Sequence, residues 1–204
     1  MVDQVASSAA PPAKPMRADA RRNSARIVQV AKQVFIEHGL DAPLDEIVKQ
    51  AGIGAGTLYR HFPTREALLE AVYREEIMAL AELGARLHQE LPPDQALGEW
   101  LHAQLSFIFA NRGLALSLKA AMDHDSETFD YCRAAMRTAA GTLLKPLQDS
   151  GVVRPDIEPS EILRMAHAVC IATDHDGIER AGKLLDIMLA GLGLPTRSGN
   201  ASVA

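Results

Sequence analysis

Four side chains that can donate hydrogen bonds occur within five residues in the N-terminal third of the chain. They are Thr57, Tyr59, Arg60 and His61. Leu58 and Phe62 are four residues apart and would share one buried face of a short helix, which leaves the four polar side chains on its other faces. Side chains of these types bind phosphate oxygens and base edges. The segment therefore predicts a nucleic-acid contact.

A second short helix is predicted immediately before this segment. Its apolar residues fall at i, i+3, i+4 and i+7, namely Leu44, Ile47, Val48 and Ala51. Gly52 follows the last of them, where a left-handed helix end favours glycine. Gly54, Ala55 and Gly56 carry little or no side chain, so the backbone there could approach another surface closely. Two short helices joined by a glycine-containing turn are typical of a helix-turn-helix, whose second helix lies in the major groove of DNA.

The residues from about Arg22 to about Tyr73 resemble the DNA-binding region of the tetracycline-repressor (TetR) family of transcriptional regulators. The resemblance is carried by Ala31, Phe35, Gly39, Ile47, Ala51, Gly52, Gly56-Thr57-Leu58-Tyr59, His61-Phe62 and Arg65-Glu66-Ala67-Leu68. So many matches in a fixed order over three linked helices are specific. The candidate DNA-contacting residues are Arg22, Arg26, Leu44, Gly54, Ala55, Gly56, Thr57, Tyr59, Arg60, His61 and Arg65.

The chain departs from the family pattern at two places. Pro43 stands where family members have Thr or Ser at the start of the second helix, although Asp41 could supply the cap instead. Gly54 and Ala55 stand where members often have Ser and Lys or Arg. Both departures remove side chains that could contact phosphate, and they leave Thr57 to His61 as the main base-contacting candidates.

The charge distribution fits a DNA-binding head. Residues 14–65 contain nine Lys or Arg against five Asp or Glu, giving +4, whereas residues 66–204 contain twelve against twenty, giving −8. Asp3 contributes the remaining −1 to the net charge of −5. A basic module favours phosphate contact, and an acidic remainder keeps other surfaces off DNA. The alternative is that surface charge merely varies along the chain.

The whole chain is predicted to be all-α, because apolar residues recur near a period of 3.6 and alternating apolar–polar runs are lacking. We expect a disordered arm over residues 1–16 and a helix-turn-helix domain over 17–66, in which the first helix begins near Asp19 or Asn23. A helix over 64–85 links this domain to a ligand-binding and dimerisation domain over 67–192, and a flexible tail follows over 193–204.

The resemblance implies that the second domain holds a small effector and forms a homodimer. The candidate ligand contacts are Trp100, Phe107, Met122, Phe129, Met136 and His167, although any of them could be an ordinary core residue. The family implies that the last two long helices form a four-helix bundle with those of a partner. The apolar stripes within residues 162–173 and 178–189 agree with this, unless they pack only inside one subunit.

No motif for a nucleotide, a serine nucleophile or structural zinc is present, so no cofactor is expected and the chain is not predicted to be an enzyme. The best metal candidate is the group His167, Cys170, Asp174 and His175, but buried or turn positions are the simpler interpretation, and no metal is predicted. Cys132 and Cys170 are too few for a disulfide framework. No segment is apolar enough to cross a membrane, and a cytoplasmic location is expected.

Two functions remain open from the sequence. The first is a sequence-specific, ligand-responsive transcriptional regulator, a repressor that binds a palindromic DNA operator as a dimer and is released by a small molecule. The second is a small all-α ligand-binding protein or enzyme whose helix-turn-helix head has no function. The basic head with its donor cluster from Thr57 to His61 favours the first.

Overall fold

The computed structural model describes residues 14–111, 127–173 and 175–197. In chain order these residues form α1 (Lys14–His38), α2 (Leu44–Ala51), α3 (Ala55–His61), α4 (Arg65–Glu90), α5 (Pro93–Ala110), α6 (Glu127–Asp149), α7 (Pro159–Ala172) and α8 (Ile178–Gly191). The described part contains no strand, so the predicted all-α fold is confirmed. None of its helices combines the length and the apolar character that crossing a bilayer requires. Residues 113–122, whose apolar sequence favours a further helix, and the polar cluster Asp123-His124-Asp125 that follows them lie outside the described residues.

The chain divides into two compact units, residues 1–68 and 69–204. In the first unit α1, α2 and α3 close around a small apolar core. Its fully buried side chains are Ile27, Ala31, Val34, Ile47, Leu58 and Leu68. This core is what a short helix such as α3 needs, because seven residues form too few internal hydrogen bonds to be stable alone.

Some of the residues suited to end or cap a helix do so in the structure, and others do not. Gly52 has a φ of 59° and ends α2 in the left-handed conformation, as predicted. Pro43 occupies the N-cap of α2, and no side chain caps that helix, so Asp41 does not take the role proposed for it. Thr64 does cap α4, since its Oγ1 accepts a hydrogen bond from the Ala67 amide at 3.1 Å.

Two other helix ends lie at residues that differ from those predicted. The first helix begins at Lys14, ahead of the predicted Asp19 or Asn23, so residues 14–16 of the expected arm are helical and residues 1–13 are not described. The linking helix α4 runs to Glu90, five residues past the predicted end at 85. It ends where Pro92 and Pro93 begin the next helix, because proline is favoured at a first helical turn and not inside a helix.

In the second unit α5 is the central helix, and it packs against α6, α7 and α8. Trp100 is fully buried, and its Nε1 donates a hydrogen bond to the Leu80 carbonyl of α4 at 2.8 Å. A Cβ atom at Gly84 would lie 3.1 Å from that same Nε1 and 3.3 Å from the Cβ of Ala139. A Cβ atom there would be closer to both neighbours than an ordinary van der Waals contact, so glycine favours the close approach of α4 to α5 and α6.

The segment after α8 is packed as far as it is described, although the sequence predicted a flexible tail from residue 193. Gly193 has a φ of 78° and reverses the chain, and the Leu194 amide bonds to the Leu189 carbonyl at 3.0 Å. Leu194 is buried in the core, and Arg197 forms a two-point ion pair with Glu99 of α5. These contacts hold residues 193–197 on the surface of the second unit.

Candidate nucleic-acid interface and effector-binding core

The polar cluster of α3 faces outward, as the spacing predicted. Tyr59 is 50% exposed, Arg60 is exposed, and Thr57 and His61 are half-buried. Leu58 on the opposite face is fully buried. The local fold therefore presents a set of hydrogen-bond donors on a rigid helix, because burial of Leu58 fixes which face points outward.

The start of α3 is open. Gly54 is the N-cap of this helix and has no side chain to cap it. A Cβ atom added at Gly54 or at Gly56 would meet nothing within 4 Å inside the protein. The packing of the described fold therefore does not require glycine at either position.

Two arginines predicted to contact DNA donate hydrogen bonds to main-chain oxygens of the head. The Arg26 Nη2 donates to the Ala51 carbonyl and, at 3.3 Å, to the Gly52 carbonyl. The Arg65 Nη1 donates to the Leu40 carbonyl at 2.7 Å. Arg26 thereby joins α1 to the end of α2, where the last carbonyl groups of a helix lack partners and favour a cation.

The remaining predicted DNA contacts take varied positions. Arg22 is exposed and forms an ion pair with Asp19, one turn earlier on α1. Leu44 is half-buried at the start of α2, and Ala55 is exposed at the start of α3. The exposed part of the predicted set is thus concentrated on α3 and its N-terminus.

The predicted effector contacts are spread over different environments. Trp100 and Met136 are buried, and Phe107 and Phe129 are half-buried. The rings of Phe107 and Phe129 lie 6.4 and 5.8 Å from the ring of Tyr73 on α4. His167 is exposed on α7 and does not line the core, and Met122 lies outside the described residues.

A buried polar pair that the sequence did not suggest lies between α5 and α8. His102 Nε2 and Asp186 Oδ1 are 2.9 Å apart, and both side chains are largely buried. Beside them a cavity of about 340 Å³ is lined by His102, Leu105, Ser106, Ile178, Glu179, Gly182, Lys183, Asp186 and Arg197. No motif could have revealed this pair, because its two members are 84 residues apart in the chain.

The pKa values of Glu99, Tyr73 and Cys132 in the second unit are shifted from their ordinary values. The hydrogen bond from Arg197 lowers the pKa of Glu99. Burial raises the pKa of Tyr73, so this phenol stays protonated and can donate a hydrogen bond at neutral pH. Burial likewise raises the pKa of the Cys132 thiol, which makes it a poor nucleophile.

The predicted apolar stripes of α7 and α8 pack inside the subunit, and other apolar side chains face outward. Ile162, Cys170, Leu185 and Leu189 are buried. Large apolar side chains on the outer faces of the same helices are exposed, namely Met165, Ile171, Ile178 and Ile187. The outer face of these helices is therefore partly apolar, which is uncommon for a surface exposed only to water.

The described members of the candidate metal site are not arranged around a common point. Cys170 is buried, whereas His167 and His175 are exposed, and Asp174 is not described. No group of three or more His, Cys, Asp or Glu side chains in the described ranges is arranged to hold a metal ion. Cys132 and Cys170 are both buried, and the described residues contain no disulfide between them.

Two family models match the chain. Residues 27–72 match the model described as bacterial regulatory proteins of the tetR family. Residues 92–194 match the C-terminal domain of SbtR-like transcriptional regulators. Since the second match alone covers half of the chain, the protein belongs to the TetR family of transcriptional regulators.

Solved structures support the same assignment over most of the chain. A TetR transcriptional regulator from Streptomyces coelicolor is 36% identical, with a TM-score of 0.68 over 85% of this chain and 99% of that one. A TetR transcription regulatory protein from Mycobacterium vanbaalenii is 31% identical, with a TM-score of 0.66 over 87% of this chain and 98% of that one. Both are named as transcriptional regulators.

Curated relatives match a short stretch of the chain. An HTH-type transcriptional regulator of Staphylococcus aureus strain USA300 is 40% identical over 63 residues, which are 30% of this chain. The match spans about a third of that relative's length (34%).

Proposed function

We propose that this protein is a homodimeric repressor that binds a palindromic DNA operator and is released by a small-molecule effector. The observation that carries the proposal is the exposed face of α3, where Tyr59 and Arg60 stand beside the open backbone at Gly54 and Gly56. Binding to chromosomal DNA would place the protein in the cytoplasm.

In this mechanism α3 lies in the major groove. Arg60 can donate two hydrogen bonds to a guanine, and Thr57, Tyr59 and His61 can reach phosphate or base edges through their polar tips. Gly54 and Gly56 let the start of the helix approach the DNA backbone without steric hindrance. The head carries a charge of +4 over residues 14–65, which adds an attraction for phosphate that weakens with salt.

A second copy is required because α3 has only seven residues and contacts few base pairs. In a two-fold dimer, two such helices lie in successive major grooves, about 34 Å apart. The exposed apolar side chains of α7 and α8, above all Ile171 and Ile187, supply the surface for this dimer. Burying them against a partner would remove apolar area that otherwise faces water.

The effector would act through α4. This helix contains the boundary between the two units, after Leu68, and it also carries Tyr73, which contacts the rings of Phe107 and Phe129. A small molecule that binds among these rings would favour one position of α4. If that position gives a head spacing that does not fit successive grooves, the effector lowers operator affinity by linkage.

The test measures how tightly the protein binds the DNA that lies upstream of its own gene. Fluorescence anisotropy with that DNA, and with a scrambled duplex of equal length, should show salt-sensitive binding that is tighter for the native sequence. Tyr59→Ala should reduce this preference by roughly 1–3 kcal/mol. Equal affinity for both duplexes would refute the repressor model and favour a ligand-binding protein with a non-functional head.

A further inference from the structure

Gln104 of α5 carries a buried polar atom that the fold leaves unsatisfied. The residue is 8% exposed. Its Oε1 is shielded from solvent, and no donor in the described part of the chain forms a hydrogen bond with it. Native proteins satisfy nearly all buried acceptors, and an exception requires an explanation. An acceptor left unpaired in a core marks a place where a partner from outside the chain can bind.

The helical position of Gln104 places its side chain towards α4. It follows Trp100 by four residues, and Trp100 bonds to the Leu80 carbonyl of α4. It precedes Phe107 by three residues, and the Phe107 ring lies 6.4 Å from Tyr73 of α4. Since positions i, i+3 and i+4 share one helix face, Gln104 lies on the same side as both aromatic residues.

Aromatic side chains share the face of α5 that carries Gln104, or contact residues on that face. Tyr73 contacts Phe107 on one side and Phe129 of α6 on the other, at 5.8 Å. The Trp100 N–H is already bonded to Leu80. The side of α5 that carries Gln104 therefore presents flat apolar rings together with one unused acceptor, a combination that ligand pockets use to fix the orientation of a bound molecule.

We propose that Gln104 Oε1 accepts a hydrogen bond from the effector, which therefore carries an N–H or O–H group on an aromatic body. The inference rests on the proposed effector-binding role of the second unit and adds the chemical class of the ligand. A molecule of equal shape without the donor would leave the acceptor unpaired, which is how a polar site rejects such an analogue.

The ligand test uses matched pairs of aromatic probes that differ only in the donor. Indole paired with benzofuran and 1-naphthol paired with 1-fluoronaphthalene are examples, measured on the full chain by thermal shift and calorimetry without DNA. The donor member of a pair should bind at least tenfold more tightly than its partner. In Gln104→Leu this ratio should fall to about one, because the acceptor is gone.

A ligand-free control comes from a second glutamine. Gln148 donates from Nε2 to the Arg154 and Ile157 carbonyls at 3.1 and 2.9 Å, so its amide is satisfied. Gln148→Leu should lower the melting temperature of the free protein, whereas Gln104→Leu should leave it unchanged or raise it, because an unpaired polar group is removed.

Three results would overturn the proposal. They are equal binding of both members of every pair, no binding by any probe, and a fall in melting temperature for Gln104→Leu like that for Gln148→Leu. None of these measurements uses DNA. Failure of operator binding would therefore refute the repressor model separately and would leave the Gln104 result standing.

Discussion

The guanidinium group of Arg26 donates a hydrogen bond to the main-chain oxygen of Ala51, the last residue of α2. The same nitrogen lies 3.3 Å from the Gly52 carbonyl in the turn that leads to α3. An arginine of α1 therefore bonds both to the end of α2 and to the turn of the helix-turn-helix. This contact orients α3 indirectly, because the turn determines how α3 leaves α2.

The first prediction separates this orienting role from phosphate binding. Arg26→Met keeps the aliphatic stem but removes the hydrogen bonds, so it should lower the stability of the head by about 1 kcal/mol. The slope of log affinity against log salt should stay that of the parent, since each lost phosphate contact would change it by about 0.9. Arg21→Met is the control on the same helix. An altered slope with an unchanged melting temperature would show that Arg26 contacts DNA.

The second prediction concerns the exposed face of α3. Tyr59→Ala and Arg60→Ala should each weaken operator binding by roughly 1–3 kcal/mol while leaving the melting temperature unchanged. Leu58→Ala should instead destabilise the head by about 2–5 kcal/mol, because it opens a cavity at a fully buried site. Ile36→Ala, at an exposed site on α1, is the control for binding. If both α3 variants bind operator like the parent, α3 is not the base-contacting helix.

The third prediction tests why Gly56 is a glycine. Gly56→Ala has free space within the protein, so it should stabilise the helix by about 0.5 kcal/mol. Operator affinity should fall at least fivefold if the backbone at this position approaches DNA. Gly141→Ala is a matched control in a helix of the second unit, where the added Cβ makes an ordinary contact of 3.5 Å. Unchanged operator binding by Gly56→Ala would contradict a close approach.

The fourth prediction concerns the dimer. Ile187→Glu and Ile171→Glu change side chains that are 67% and 63% exposed, so each variant should fold but sediment as a monomer and lose operator binding. Leu185→Glu should unfold the second unit, because Leu185 is fully buried within one subunit. Val152→Glu, at another exposed apolar site, should stay dimeric. Sedimentation velocity that finds Ile187→Glu and Ile171→Glu still dimeric would exclude this face as the interface.

The fifth prediction concerns pH. Arg197 lowers the pKa of Glu99 in the folded state from its ordinary value of 4.5, so the pair stabilises the protein above that value. This stabilisation is lost as the pH falls through the lowered pKa. Because both side chains are about half exposed, it should amount to about 0.5 kcal/mol. Chemical denaturation should show Glu99→Gln less stable than the parent at pH 7 and equal to it at low pH, with Glu82→Gln as the control. A difference that persists unchanged at low pH would contradict this account.

The head could be predicted closely from the sequence because its signals are local. Spacing within a few residues predicted the buried Leu58 and the exposed Tyr59, and Gly52 predicted the end of α2. The cap of α4 is also a local feature, since Thr64 accepts a hydrogen bond from an amide three residues later. Each of these features depends on backbone geometry and on neighbours within one or two helical turns.

The sequence could not decide which polar side chains are free to bind a partner. Arg26 and Arg65 have the charge and position of phosphate contacts, yet each bonds to a carbonyl 25 residues away in the chain. Periodicity on α7 and α8 correctly marked apolar residues, but only the packed fold separates the buried Leu185 from the exposed Ile187.

What the sequence by itself determined is the all-α class, the helix-turn-helix and the outward face of α3, since these follow from periodicity and local turn chemistry. Only the tertiary structure decided that Arg26 supports the turn, that His102 pairs with Asp186, and that Arg197 pairs with Glu99. It also decided that no donor among the described residues bonds to Gln104 Oε1. The physical reason is that hydrogen-bond partners are chosen by distance in space. Residues 84 or 98 positions apart leave no pattern that a local window can detect.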